Sequence, residues 1–219
     1  MSEHISIIFR HANVNFCFAT IIAMALFIKR LSKQEIYIFV IILISYLIDV
    51  GSEFIKISDA AHQSNHWVFN YSLPILYLSY ILYYAFLLPN NNSILRVLFT
   101  SILVTITHIV FLIVFGVTNF LTYSIIPYIL LVGLASFIYL QKITITENTP
   151  LGKNLIFWFS MANVIKHIAT IPVISTLSWY PELNQDWASN ILIINDYLSY
   201  YIYYSIIILG VIWTKLIRA

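Results

Sequence analysis

The chain has 219 residues, of which 61% are apolar and only 9% charged, with a formal net charge of +2 and a mean hydropathy of +0.89. A soluble domain carries about 25% charge, and a chain this short leaves much of its surface facing its surroundings. A soluble enzyme, a nucleic-acid binder and a disordered chain are therefore excluded, and an all-α polytopic protein integral to a lipid bilayer is expected. The single cysteine, Cys17, leaves no internal disulfide and no cysteine-based metal site, and is expected as a buried small hydrophobe.

In chain order, apolar runs fall at about 6–28, 36–57, 67–88, 94–116, 119–140, 154–178 and 191–213, each close to the roughly 20 residues needed to cross the hydrocarbon. Only helices satisfy their own backbone there, so one domain over 1–219, a seven-helix bundle, is predicted. Turn signals separate the runs: Leu31-Ser32-Lys33-Gln34, Ser64-Asn65, Pro89-Asn90-Asn91-Asn92, Thr118-Asn119, Asn148-Thr149-Pro150 and Pro181-Glu182. The shortest of these gaps lies between the fourth and fifth runs.

Lys29, Arg30 and Lys33 occupy the first loop, Arg96 follows the third run, Lys142 and Lys153 flank the fifth loop, and Lys215 and Arg218 lie at the tail. The intervening loops lack such residues apart from Lys56 at the edge of the second run. This segregation predicts an outward N-terminus and a cytoplasmic C-terminus. Trp67, Trp179 and Trp187 then mark the outer interface, and Trp158 and Trp213 the inner one. Ala23-Met24-Ala25 has the form of a signal cleavage site, but cutting there would strand the first basic loop outside, so the first run is expected to be retained. The loops are short and hold no soluble output domain, so a signal would have to pass to another membrane or cytoplasmic chain.

Polar side chains interrupt the runs in a pattern. Tyr46, Asp49, Glu53 and Lys56 recur on one face of the second helix. Ser101, Thr105 and His108 share a face of the fourth. Asn163, Lys166, His167 and Thr170 lie in the sixth, followed by Pro172, and Asn195, Asp196, Ser199, Tyr200 and Tyr203 continue along the seventh. Arg10, His11 and Asn13 lie at the outer end of the first, and His66 and Asn70 at that of the third. With the predicted orientation these groups gather between the midplane and the outer surface, above an apolar and aromatic inner half. A charged residue at mid-bilayer costs about 2.5–3.5 kcal/mol, against ~0.3–0.6 returned by each Leu, Ile or Phe. Lys166 alone offsets roughly six apolar neighbours by those values.

Two readings of the cluster coexist. It is a structural network in which Asp49, Glu53 and Asp196 balance Arg10, Lys56 and Lys166, or it lines an outer pocket. For a pocket, the ligand-binding candidates are Asp49, Glu53, Asn70, His108, Asn163, Lys166, His167, Asp196 and Tyr200. His62 and His66 have the spacing of two metal ligands on a helix, but their stretch reads as polar loop, and no metal or cofactor is expected. The tyrosines of the third and seventh helices are assigned chiefly to packing, with a ring cage for a cation or headgroup as the alternative. Asn91-Asn92-Ser93 matches a glycosylation acceptor but falls on the predicted cytoplasmic side.

The segment Asn65-His66-Trp67-Val68-Phe69-Asn70-Tyr71, with the Ile-, Asn-, Lys- and Tyr-rich composition, resembles small multi-pass membrane proteins of Bacteroidetes-type bacteria. That resemblance implies a bacterial inner-membrane location and no particular activity. The layout is also similar to the seven-helix sensor regions of some bacterial histidine kinases, without a kinase domain. Three other seven-helix families do not fit. A retinal protein would need a mid-span lysine in the seventh helix, the ceramide-type metal hydrolases a His-x-x-x-His there, and the PQ-loop sugar transporters repeated Pro-Gln pairs.

The expected function is that of a receptor-like or sensory protein binding a small polar or amphipathic molecule in the outer half and signalling to a partner chain. The alternatives are an intramembrane enzyme on a lipid, with Asp49 or Glu53 as base beside His108 or His167, a proton- or cation-coupled transporter, and a structural subunit. Catalysis is left open; the bilayer is the one certain partner.

Overall fold

A computed structural model describes residues 12–58, 66–88, 91–116, 122–146, 150–177 and 197–216. The described residues form seven α-helices. They are α1 (Ala12–Leu26), α2 (Lys33–Ser58), α3 (His66–Leu87), α4 (Asn91–Phe115), α5 (Thr122–Thr146), α6 (Leu155–Leu177) and α7 (Tyr203–Lys215). A π-helical segment, Tyr197–Ile202, leads directly into α7, and short 3₁₀ turns lie at Ile28–Arg30 and Leu151–Lys153. Four helices carry stretches long and apolar enough to cross a bilayer: Lys33–Ser52, Ile94–Phe115, Tyr123–Ile145 and Leu155–Val173. The chain is thus an all-α multi-pass membrane protein in contact with lipid. The 22 residues of α3 would span about 33 Å at 1.5 Å per residue; its tyrosines and Asn70 dilute its hydropathy.

Local chemistry sets the helix ends. Ser32 and Glu35 form a reciprocal capping box at the start of α2, with Ser32 N–H donating to Glu35 Oε2 at 2.7 Å and Glu35 N–H to Ser32 Oγ at 3.3 Å. Asn154 Oδ1 accepts from Ile156 N–H at 2.9 Å and caps α6. Gly116, at φ +75°, closes α4 in the left-handed conformation while its N–H reaches Leu112 O at 3.1 Å. Within the spans, hydroxyls turn back on their own helices. Thr20 donates to Phe16 O, Ser72 to Val68 O, Ser136 to Val132 O and Thr170 to Lys166 O, which hides them from lipid. The described boundaries agree with the apolar runs to within three residues except at the end of α5, which runs to Thr146 rather than 140, and the starts of the first and seventh runs, 6–11 and 191–196, lie outside the described residues. The extension is held because Ile143 is buried and Lys142 Nζ donates to Leu87 O at 3.1 Å.

Neighbour contacts close α1, α2, α3, α5, α6 and α7 into a ring in that order, with α2 also touching α6 across it. α4 stands outside, against α3 and α5 only, and only 11% of its apolar stretch is buried. The ring is filled by aromatic residues. Tyr80, Tyr84, Tyr128, Phe159, Tyr203 and Tyr204 are the largest fully buried side chains. Cys17 is buried as expected, its thiol directed at Ile42 O at 3.6 Å. α6 and α7 pack at Gly210, where an added Cβ would lie 2.6 Å from Trp158 Cβ.

One end of the bundle is basic. Lys29, Arg30, Lys33, Arg96, Lys142, Lys153 and Lys215 all lie at or near the helix ends that meet there. Lys215 Nζ bridges Glu35 at 2.7 Å and donates to Arg30 O at 3.3 Å, while Arg30 Nη1 donates to Lys215 O at 3.2 Å. Trp158 and Trp213 belong to this end, with Trp158 Nε1–H donating to Gly152 O at 3.1 Å. Trp179 and Trp187 lie outside the described residues.

Gly210→Ala is expected to cost about 1–3 kcal/mol through overpacking, read as a lower thermal midpoint in detergent. Gly51→Ala, whose Cβ would meet nothing within 4 Å, should leave that midpoint unchanged or raised. Lys215→Met should cost about 3 kcal/mol by leaving the Glu35 carboxylate without its cation. Glu35→Gln with Lys215→Met should recover part of that loss in a double-mutant cycle.

Candidate functional site

The candidate residues separate into two groups on the two sides of α3. On the α4 side, His108 is 2% exposed, and its Nε2 lies 2.8 Å from the carbonyl oxygen of Asn70 on α3. A carbonyl only accepts, so Nε2 carries the proton, and Nδ1 accepts from Ser124 Oγ–H of α5 at 2.8 Å. Beside it Tyr128 O–H donates to Thr105 Oγ1 at 3.1 Å. Both imidazole nitrogens are satisfied. His108 therefore acts as a pin holding the peripheral α4 to α3 and α5, and Asn70 serves it through its backbone.

On the other side, α6 presents Asn163, Lys166 and His167 to the ring's interior. At 1.5 Å per residue, Lys166 lies about 17 Å from the Leu155 end of α6, near mid-depth of a ~30 Å hydrocarbon core. Its Nζ sits 4.6 Å from the Tyr203 ring centroid and 5.9 Å from that of Tyr200, inside the range of cation–π attraction. The Tyr203 ring is fully buried, yet Lys166 itself keeps partial exposure. Asp49, buried on α2, acts electrostatically on it. The rings flanking Lys166 straddle a backbone irregularity: Tyr200 belongs to the π-helical segment and Tyr203 opens α7. Single π turns within helices often mark functional positions.

Beneath Lys166 the tyrosine hydroxyls form polar junctions. Tyr84 O–H donates to Ser160 Oγ at 3.1 Å and accepts from Asn163 Nδ2 at 3.0 Å, the same amide also reaching Phe159 O at 3.0 Å. Tyr80 and Tyr203 share a 2.8 Å hydroxyl–hydroxyl bond, and Tyr204 pairs with Ser45 at 3.3 Å. His167 is 1% exposed, with its ring edge-on to Tyr77 and Tyr80 at 5.9 and 6.2 Å. Its Nδ1 lies 2.6 Å from Asn163 O, so Nδ1 bears the hydrogen and Nε2 an open lone pair. Among the described residues, His167 Nε2, Asn163 Oδ1 and the Tyr83 hydroxyl are buried without a hydrogen-bond partner.

The two groups are joined through rings. Tyr128 lies edge-on to His108 at 6.0 Å and stacks with Tyr77 at 6.3 Å, and Tyr77 meets His167. Of the predicted candidates, Lys166 and Tyr200 come together, with Asn163 and His167 adjoining and Asp49 within electrostatic range on α2; Asn70 and His108 lie across α3. The side chain of Glu53 and the whole of Asp196 lie outside the described residues, as do His62 and the side chain of His66. The polar groups also reach further towards the basic end than the sequence pattern suggests. Asn163, Tyr84 and Ser160 fall on that side of Lys166, because tyrosine carries its hydroxyl into a region its ring makes apolar. Tyr80, Tyr84, Tyr203 and Ser160 are the network members missed as candidates; the i, i+3, i+4 recurrence of Tyr80, Tyr83 and Tyr84 is the one signal that pointed to them. No family model matches this chain, and neither a curated protein nor a solved structure was found to match it.

Ser124→Ala should cost about 1–3 kcal/mol by leaving His108 Nδ1 buried without a donor. Reversible unfolding in mixed micelles checks this value.

Proposed function

We propose that the protein is a receptor-like or sensory membrane protein that binds a small polar or amphipathic molecule in a crevice at Lys166 and Asp49, and signals to a partner chain. The observation that carries this reading is the Lys166 ammonium over the fully buried ring of Tyr203, on a residue that is itself only partly buried, in the field of Asp49. Intramembrane ionisable groups are costly and mark functional positions by default. Here one lysine and one aspartate belong to α6 and to α2, which touches α6 across the ring, with α7 the ring neighbour of α6.

The basic end of the bundle faces the cytoplasm in this reading, in accord with the positive-inside rule, which puts the N-terminus outside; a bacterial inner membrane is what the resemblance to small multi-pass proteins implies. The crevice is then entered from the outer side. A ligand shifts the helices only by binding one arrangement better than another. Displacing the Lys166 ammonium from the rings of Tyr200 and Tyr203 would alter the α6–α7 contact, and Pro172 removes a backbone hydrogen bond from α6 one turn beyond it. The change would reach a partner at the basic end, where α7 is clamped to the α1–α2 connection through Arg30, Glu35 and Lys215.

The test is a thermal-stability screen of the purified chain in detergent against small carboxylates, amino acids, phosphates and short-chain lipids. A ligand at 100 times its Kd stabilises by about 2.7 kcal/mol, which for a chain of this size raises the midpoint by roughly 5–10 °C. That rise is expected to vanish in both Asp49→Asn and Lys166→Met. A rise that persists unchanged in both variants removes the crevice as the binding site.

A further inference from the structure

Among the described residues, several buried polar groups near Lys166 are left without hydrogen-bond partners. In the Tyr80–Tyr203 pair a single hydroxyl donates to the other across 2.8 Å, so whichever donates, one phenolic proton is left seeking an acceptor. Two acceptors are left seeking donors on the adjoining turn of α6: His167 Nε2, whose tautomer is fixed by the Nδ1–H bond to Asn163 O, and Asn163 Oδ1, whose amide nitrogen is already spent on Tyr84 and Phe159. Both residues are at most 1% exposed. Tyr80 connects the sets, for its ring lies edge-on to His167 at 6.2 Å and stacks on Phe159 at 5.7 Å, one turn below Asn163. An unmet buried acceptor costs about 1–3 kcal/mol, and two of them one turn apart are not left unpaired without a reason.

We propose that His167, Asn163 and the Tyr80–Tyr203 pair form a buried binding site for one water-sized hydrogen-bond donor, a neutral water molecule. The leftover phenol proton of the Tyr80–Tyr203 pair and the two leftover acceptors are the complement of a water that accepts from the phenol and donates to Nε2 and Oδ1. The unpartnered Tyr83 hydroxyl, beside Tyr84 and Phe159, is a further donor not assigned to it. Buried waters usually make about three such bonds. Ammonium offers the same donors, but Lys166, which immediately precedes His167 on α6 and lies over Tyr203, opposes a second cation there. The bound molecule hydrogen-bonds α3, α6 and α7 to one another beneath Lys166. The site stands on the hydrogen-bond inventory alone, independently of any ligand at Lys166.

The experiment is difference infrared spectroscopy of the full chain in detergent, exchanging ordinary water for oxygen-18 water, with thermal midpoints in ammonium chloride and in sodium chloride at equal ionic strength. An isotope-sensitive O–H stretch of an ordered internal water is expected, lost in His167→Phe and in Asn163→Leu and shifted in Tyr80→Phe, a variant that keeps ring packing should either of the others fail to fold. A midpoint rise specific to ammonium and absent in Tyr80→Phe would assign the same site to a cationic donor and overturn the choice of water. The absence of any such band and of any ammonium effect overturns the site itself, as does a band unchanged in Tyr80→Phe and in every variant that folds.

Discussion

A lysine amine at the middle of a bilayer costs about 2.5–3.5 kcal/mol on the insertion scale, and hydrocarbon offers it no partner. What surrounds Lys166 is the protein's answer to that cost. The Tyr203 ring beneath it, the Tyr200 ring beside it and the Asp49 carboxylate come from the last helix, the π-helical segment before it and α2. Those attachments bring three separate parts of the chain to one face of α6. The same demand for partners, applied to Asn163 and His167 one turn away, explains why the core is built from tyrosine more than from leucine. The rings of Tyr80, Tyr84, Tyr203 and Tyr204 fill apolar volume while their hydroxyls pair with polar groups of other helices.

The helices divide the work. The ring of α1, α2, α3, α5, α6 and α7 encloses the aromatic core, while α4 offers most of its surface to lipid and is held by the His108 pin. Two histidines of similar burial thus have opposite characters. His108 has donor and acceptor matched on both nitrogens, which is the signature of a structural role. His167 has one nitrogen committed to its own helix and one open. Burial alone does not separate them; accounting for each lone pair does.

Most of the architecture was legible in the sequence because hydrocarbon imposes it: apolar runs of span length become helices, and their boundaries fall at Ser32, Asn154 and Gly116 for ordinary capping reasons. The end of α5 was missed, since Lys142 reads as a loop residue until Leu87 O is seen beside it. Lys166 and Asp49 stood out through their cost. The tyrosine network did not, because an aromatic residue at helical spacing has the same pattern whether its hydroxyl is used or idle. Likewise nothing in the spacing of His108 shows that Ser124 and the Asn70 carbonyl arrive on either side of its ring. Pairing across helices is set by how the helices pack, and one strand of text does not carry that register.

The bridge between Glu35 and Lys215 spans 180 positions of the chain. Synthesis from the N-terminus makes the acid long before its base, so the bridge stays open until α7 has been made. Closure of this latch therefore waits on the docking of α7. The junction ties the connection between α1 and α2 to α7, so that the earliest and latest of the described helices are held by one ion pair.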